Sequence, residues 1–131
     1  MKKEDIELAE IRVFENYKIE TLEAGHAVMT TEVVEHSLNY YNISHGGYLF
    51  TLCDQVGGLV AKSLGVNAVT LQANINYLKA SRLGETLWVE GKAVHSGRTT
   101  QVVDVEVKNK DGKVLTKVSL TLYITGKIEE N

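Results

Sequence analysis

The chain has 131 residues, 44% of them apolar, and a formal net charge of -3. This predicts one globular domain over residues 1–131 and excludes a disordered chain. Its basic residues form no run, so no nucleic-acid surface is expected, and an anionic ligand would have to be held by local donors.

A single cysteine leaves no internal disulfide framework, which suits a reducing compartment. The N-terminus Met1–Glu10 is charged and lacks the apolar core of a secretory leader. No stretch approaches membrane-spanning length. The expectation is a cytoplasmic protein with no membrane partner.

Residues 1–16 are charged, with sparse apolar positions at Ile6, Leu8, Ile11, Val13 and Phe14, and read as an arm or a short helix. Tyr17 to Glu23 and His26 to Val34 are strand-like, with Ala24-Gly25 turning between them. Glu35 to Ser44 follows neither a strand nor a helix period and reads as a loop with structure of its own. His45 to Leu64 is the one long helix, stopped by Gly65. Its apolar stripe is Leu49, Leu52, Cys53, Val56, Val60 and Leu64. Asp54 falls beside the stripe, with Phe50, Gly57 and Gly58 as helical neighbours. A glycine inside a helix costs roughly 1 kcal/mol relative to alanine. The space left by this pair is therefore expected to serve a ligand or a closely packed backbone.

The remainder alternates as strands. Val69, Leu71, Ala73, Ile75 and Tyr77 are expected on one face, with Thr70, Gln72, Asn74 and Asn76 on the other. Leu87 to His95 forms the next strand, and Gln101, Val103, Val105 and Val107 mark another. Asp111-Gly112 is a hairpin turn, followed by a strand through Val114, Val118, Leu120, Leu122 and Ile124. The expected class is α+β: an antiparallel, curved sheet of about six strands wrapped around one central helix. Such a sheet leaves edge strands, and pairing of edges between copies is the usual remedy.

The chemistry concentrates in Asn39 to Asp54. His45-Gly46-Gly47 opens the helix, where backbone N–H groups lack internal partners and the dipole end is positive. Glycines there admit a ligand atom close to the backbone, a natural oxyanion site. Asp54 lies about two turns further along at roughly 1.5 Å per residue. It is expected to be partly desolvated, which makes a carboxylate a better base. An oxyanion site with such a carboxylate describes hydrolysis of an activated acyl group, and a thioester is activated enough to need no metal.

Taken singly, each residue has a plainer explanation. His-Gly-Gly is a common turn, a helical Asp usually faces water, and Asn39 serves as a turn cap as readily as a donor. Cys53 reads as a buried small apolar residue, because no partner base falls in its register. His26, His36 and His95 have no metal-ligand spacing, so no metal is assigned.

The ordered set Asn39-x5-His45-Gly46-Gly47-x2-Phe50-x-Leu52-x-Asp54 resembles the signature of the PaaI-like and thioesterase superfamily member 2-like acyl-CoA thioesterases, which have the hotdog fold. Asn74 to Glu85 looks like that family's next strand and the Gly-Glu turn after it. His95 to Thr100 resembles the turn after the following strand. The likeness covers residues 15–126.

The resemblance implies subunits that join their sheets into a dimer, often paired further into a tetramer, with active sites at the dimer interface. It implies that the aspartate matching Asp54 is general base or nucleophile. The asparagine matching Asn39 and the N–H of the glycine matching Gly46 hold the thioester carbonyl from the opposite subunit. The residue matching Thr70 positions water or the aspartate. His45 and Gly47 support the oxyanion loop. CoA enters as part of the substrate and no cofactor is needed. Arg98, Thr99 and Lys79 are the candidate CoA contacts.

The chain departs from the pattern at Ala80, where many relatives carry proline, and at Thr70, where serine is usual. Two other functions compete: a non-catalytic acyl-CoA sensor, and a hotdog dehydratase of 3-hydroxyacyl thioesters. The Asp54–Asn39 pair disfavours the first, and the lack of proline beside His45 disfavours the second.

Overall fold

The structure, a computed structural model, describes residues 1–129. The strands are β1 (Lys18–Glu23), β2 (His26–Glu32), β3 (Val66–Tyr77), β4 (Thr86–Ser96), β5 (Thr100–Lys108) and β6 (Val114–Lys127), and the helix α1 is Gly46–Ser63. The six strands form one sheet in the order β1-β2-β4-β5-β6-β3, every neighbour antiparallel. This is the α+β arrangement expected, a sheet around one central helix. The N-terminal arm holds a 3-10 turn at Lys3–Asp5 and is otherwise irregular.

The alternation of β5 explains the sheet's two faces. Gln101, Val103, Val105 and Val107 are buried, whereas Val102, Asp104, Glu106 and Lys108 are only partly so. The helix stripe Leu52, Cys53, Val56 and Val60 is fully buried in the same core as Val89, Val103, Val105 and Leu120. Each such side chain contributes about 1.5–3 kcal/mol by leaving water.

Two glycines let the helix approach this closely. A Cβ on Gly91 would sit 2.9 Å from Val56 Cγ1 and 3.0 Å from Val60 Cγ2, and one on Gly57 would collide with Leu120. Gly58 has open space beside it. The double glycine thus divides its work: one member is packed backbone, the other leaves room next to Asp54.

β3 departs from the simple alternation. Its pairing with β6 shifts between Thr70 and Gln72, a bulge that gives Leu71 no partner. The extra residue swaps faces. Thr70 lies opposite the buried Leu122, and Ala73 lies opposite the buried Leu120, so Thr70 joins Ala73, Ile75 and Tyr77 on the helix side. Val69 and Leu71, expected inside, are 54% and 61% exposed. The bulge therefore turns the Thr70 hydroxyl toward the helix.

On the sheet's outer face a charged cluster ties β1, β2, β4 and β5. His26 Nε2 lies 2.7 Å from Glu90 Oε2, His26 Nδ1 lies 3.1 Å from Glu23 Oε1, and Lys108 Nζ lies 3.0 Å from Glu90 Oε1. With a carboxylate at each ring nitrogen the charged imidazole is favoured. Its pKa stands above the ordinary 6.5, chiefly through Glu23 and then Glu90. Glu90 is held below its ordinary 4.5, chiefly by His26 and then by Lys108.

A group raised on folding gives stability that is complete below its unfolded pKa and lost as pH climbs through the raised value. A lowered carboxyl gives stability that is lost as pH falls through the lowered value. The melting temperature of the parent should therefore fall between about pH 6 and pH 8 more steeply than that of His26→Gln. Equal slopes in a pH-resolved thermal melt would remove His26 from this account.

Candidate active site

The loop before the helix is built by its own polar groups. Asn39 Oδ1 accepts the Tyr41 N–H at 2.9 Å and the Ile43 N–H at 3.4 Å, and the Asn39 N–H donates to the Ile43 carbonyl at 2.9 Å. Asn42 sits at φ 60°, in the left-handed region that asparagine tolerates. The turn-capping role weighed for Asn39 is thus realised by its oxygen. Its amide nitrogen has no acceptor among the described residues.

Two further ties fix the approach to the helix. The Ser44 N–H donates to the Ser81 carbonyl at 2.9 Å, with the two hydroxyls 2.6 Å apart, and the His45 N–H donates to the Ser37 carbonyl at 2.7 Å. Ser37 and Ser81 are fully buried.

His45 is the helix N-cap, and its Nδ1 accepts the Gly47 N–H at 2.9 Å. A Cβ on Gly47 would come within 3.2 Å of that nitrogen, so glycine keeps the cap in place. The cap uses the Gly47 amide. The Gly46 amide has no acceptor among the described residues and opens on a cavity of about 350 Å³ shared with Asn39, Leu49, Tyr77 and Lys79.

Tyr77, the last residue of β3, ties that strand to the start of the helix. Its hydroxyl donates to the Gly46 carbonyl at 2.8 Å, and a Cβ on Gly46 would meet that hydroxyl at 3.0 Å. Burial lifts the phenol above its ordinary 10.0, so it remains a donor at neutral pH. This contact is a second reason why position 46 suits glycine, and no spacing rule finds it. Tyr48, by contrast, is fully buried core.

Asp54 is half-buried, and its Oδ1 accepts the Thr70 hydroxyl at 2.6 Å. Its Oδ2 has no hydrogen-bond partner among the described residues and remains open to a water. The neighbouring Cys53 is fully buried, and burial, then the Asp54 charge, push its thiol up to about 12. A thiol so held stays protonated, which fits the expected packing role.

The structure brings Asp54 to Thr70, Asn39 to Gly46 and Lys79 around one cavity, Asn39 to His45 around another, and Gly47 to His45. It keeps Asp54 and the Asn39–Gly46 group apart within one chain, since Asp54 lies eight residue steps along the helix from Gly46, about 12 Å at the helical rise. Arg98 and Thr99 lie in the exposed turn between β4 and β5, where the Thr99 carbonyl accepts the Ile124 N–H at 2.9 Å. Ile124 pairs with Ala68 near the start of β3, whereas Lys79 follows its end. These CoA candidates are therefore a strand's length apart in one chain, roughly 35 Å.

Among the described residues no group of His, Cys, Asp and Glu is arranged to hold a metal ion, and no helix is long and apolar enough to cross a membrane.

Residues 41–116 match the family described as the thioesterase superfamily. The acyl-coenzyme A thioesterase PaaI of Escherichia coli is 33% identical over 95 residues, covering 72% of this chain and 68% of that one. A solved structure of a hypothetical thioesterase protein with coenzyme A from Streptococcus pneumoniae superposes with a TM-score of 0.93 at 52% identity, covering 95% of this chain and all of that one. A Streptococcus mutans structure bound to acetyl-CoA superposes with a TM-score of 0.87 at 56% identity, covering 93% and 98%.

Proposed function

Since the chain belongs to the thioesterase superfamily, we propose that it hydrolyses acyl-CoA thioesters, with Asp54 as the base that activates water. The observation that carries this reading is the Asp54 carboxylate, anchored at one oxygen by Thr70 at 2.6 Å and open at the other. Proteins similar over nearly the whole chain bind coenzyme A or acetyl-CoA, which favours an acyl-CoA substrate. No cofactor is invoked: the thioester carbonyl is electrophilic enough for attack by an activated water, and CoA leaves as product.

In this mechanism Asp54 Oδ2 takes a proton from water as the water oxygen bonds to the carbonyl carbon. The negative charge that develops on the carbonyl oxygen is received by the Gly46 N–H and the Asn39 amide. Collapse breaks the carbon–sulfur bond, and the proton held by Asp54 goes to the departing thiolate.

A water about 3 Å from a carbonyl carbon cannot be served by groups some 12 Å apart. Hence the site requires two copies. The β3 edge supplies the means, being twelve residues long with Val69, Leu71 and Tyr77 more than half exposed. A long apolar edge seeks a partner. Thr70 marks Asp54 and Tyr77 marks Gly46 along the same strand. Antiparallel pairing of two β3 strands, centred between those positions, sets Asp54 of one copy against Gly46 of the other. It also carries Lys79 of one copy toward Arg98 and Thr99 of the other, which would give the CoA phosphates cations from both.

The test is thiol release over a panel of acyl-CoA substrates. Turnover supports the hydrolase; saturable binding without thiol release would convert the reading to a sensor, and an enoyl absorbance to a dehydratase.

Tyr77 acts here as a positioning residue. Tyr77→Phe removes one hydrogen bond worth about 0.5–1.5 kcal/mol, so kcat should fall about two- to tenfold with KM little changed. A KM effect alone would place Tyr77 in substrate binding instead.

A further inference from the structure

We infer that the N-terminal arm roofs an acyl-chain groove and sets the chain length this protein accepts, an inference that rests on the acyl-CoA reading above. The arm is pinned at two points. The Tyr40 hydroxyl donates to the Glu7 carbonyl at 2.6 Å, and the Arg12 N–H donates to the His36 carbonyl at 3.1 Å. Between the pins, Leu8, Ala9 and Ile11 face Leu38 and Tyr40 across a cavity of about 360 Å³ that reaches Asn39 and His45. Pockets for small ligands begin near ~300 Å³.

This groove and the one containing Gly46, Tyr77 and Lys79 meet at Asn39. A thioester has two limbs, and the chemistry of the grooves sorts them. The Lys79 groove offers a cation and polar backbone to the phosphate-bearing limb. The arm groove has no Lys, Arg, Asp or Glu in its lining; its imidazole, His45, is engaged by the Gly47 amide and its phenol, Tyr40, by the Glu7 carbonyl. Its walls suit an uncharged hydrocarbon.

The arm's apolar side chains point the same way. Leu8 is 83% and Ile11 38% exposed. Clustered exposed apolar groups mark a surface that is covered in use, and the groove's continuity with the carbonyl-binding corner makes the acyl chain that cover. The chemical class of substrate is therefore a straight hydrocarbon acyl chain of more than a few carbons.

Each methylene taken up is worth about fourfold in binding. The parent protein is assayed with acetyl-, butyryl-, hexanoyl- and octanoyl-CoA, by thiol release and by calorimetric binding, alongside full-length Ile11→Trp and Tyr40→Phe. In the parent, kcat/KM and affinity should rise at least about tenfold from acetyl to octanoyl. Ile11→Trp fills the groove and should lower the octanoyl-to-acetyl ratio by about tenfold. Tyr40→Phe frees the Glu7 pin and should lower it less, with no change in thermal melting.

An unchanged ratio in both folded variants overturns the inference. So does a changed oligomeric state with an unchanged ratio, which would make the arm a contact between copies. Absence of thiol release from every substrate overturns the hydrolase reading alone, and the chain-length dependence of binding then still decides the groove.

Discussion

Asp54→Asn should lower kcat for acyl-CoA hydrolysis by about 10²–10⁴-fold, the range supplied by a positioned base, while the protein stays folded. The asparagine oxygen still accepts the Thr70 hydroxyl, which lies 2.6 Å from Oδ1 in the parent, so the side chain keeps its place and loses only its capacity to take a proton. That makes the substitution cleaner than Asp54→Ala, which would also release Thr70 and widen the space beside Gly58. The measurement is single-turnover thiol release, with binding of acyl-CoA followed separately. A variant that binds as the parent does and turns over at a comparable rate would show that the base lies elsewhere.

The same residue can be divided between base and nucleophile. In heavy-oxygen water, direct attack by Asp54 on the carbonyl carbon expels CoA thiolate and forms an anhydride, and its opening by water at the Asp54 carbonyl carbon leaves label in the Asp54 carboxylate. Activation of water leaves label only in the released acid. The open Oδ2 beside a Thr70-anchored Oδ1 favours the second outcome, because a carboxylate gripped at one oxygen is oriented to present the other to a water.

The helix and its stop are legible in the sequence, because the stripe of Leu49, Leu52, Val56 and Val60 and the stop at Gly65 are local signals; that His45 stands outside the helix as its cap is not. The glycines at the helix start were readable for a similar reason: unpaired amides and a positive dipole end follow from being first in a helix. Two decisive features were not local. The bulge at Leu71 is a matter of register against β6, and strict alternation put Thr70 on the wrong face. The Tyr77–Gly46 contact joins positions 31 residues apart, and nothing at either position announces it. Asn39 was legible in part. Its turn-building oxygen follows from ordinary asparagine behaviour, but only the fold places Asn39 on the same cavity as Gly46.

The shared site makes the second large prediction. Asp54→Asn and Asn39→Ala should each be nearly inactive alone, the first for want of a base and the second by about 10²–10³-fold for want of an oxyanion donor. When the two are unfolded together and refolded as a mixture, about half of the dimers contain one chain of each kind. In the proposed arrangement, where Asp54 and Asn39 of one site come from different copies, such a dimer has one site with both defects and one with neither. Activity should return to about one quarter of the parent value, as two-fold symmetry requires.

A site within one chain gives no recovery, since every chain then carries a defect. The separation of about 12 Å along the helix already argues against that arrangement, as does the exposed β3 edge, whose Leu71 would otherwise stand in water without purpose. Recovery that vanishes when Leu71→Lys is added to both chains would tie the shared chemistry to pairing along β3. Recovery that survives it would move the interface to another face.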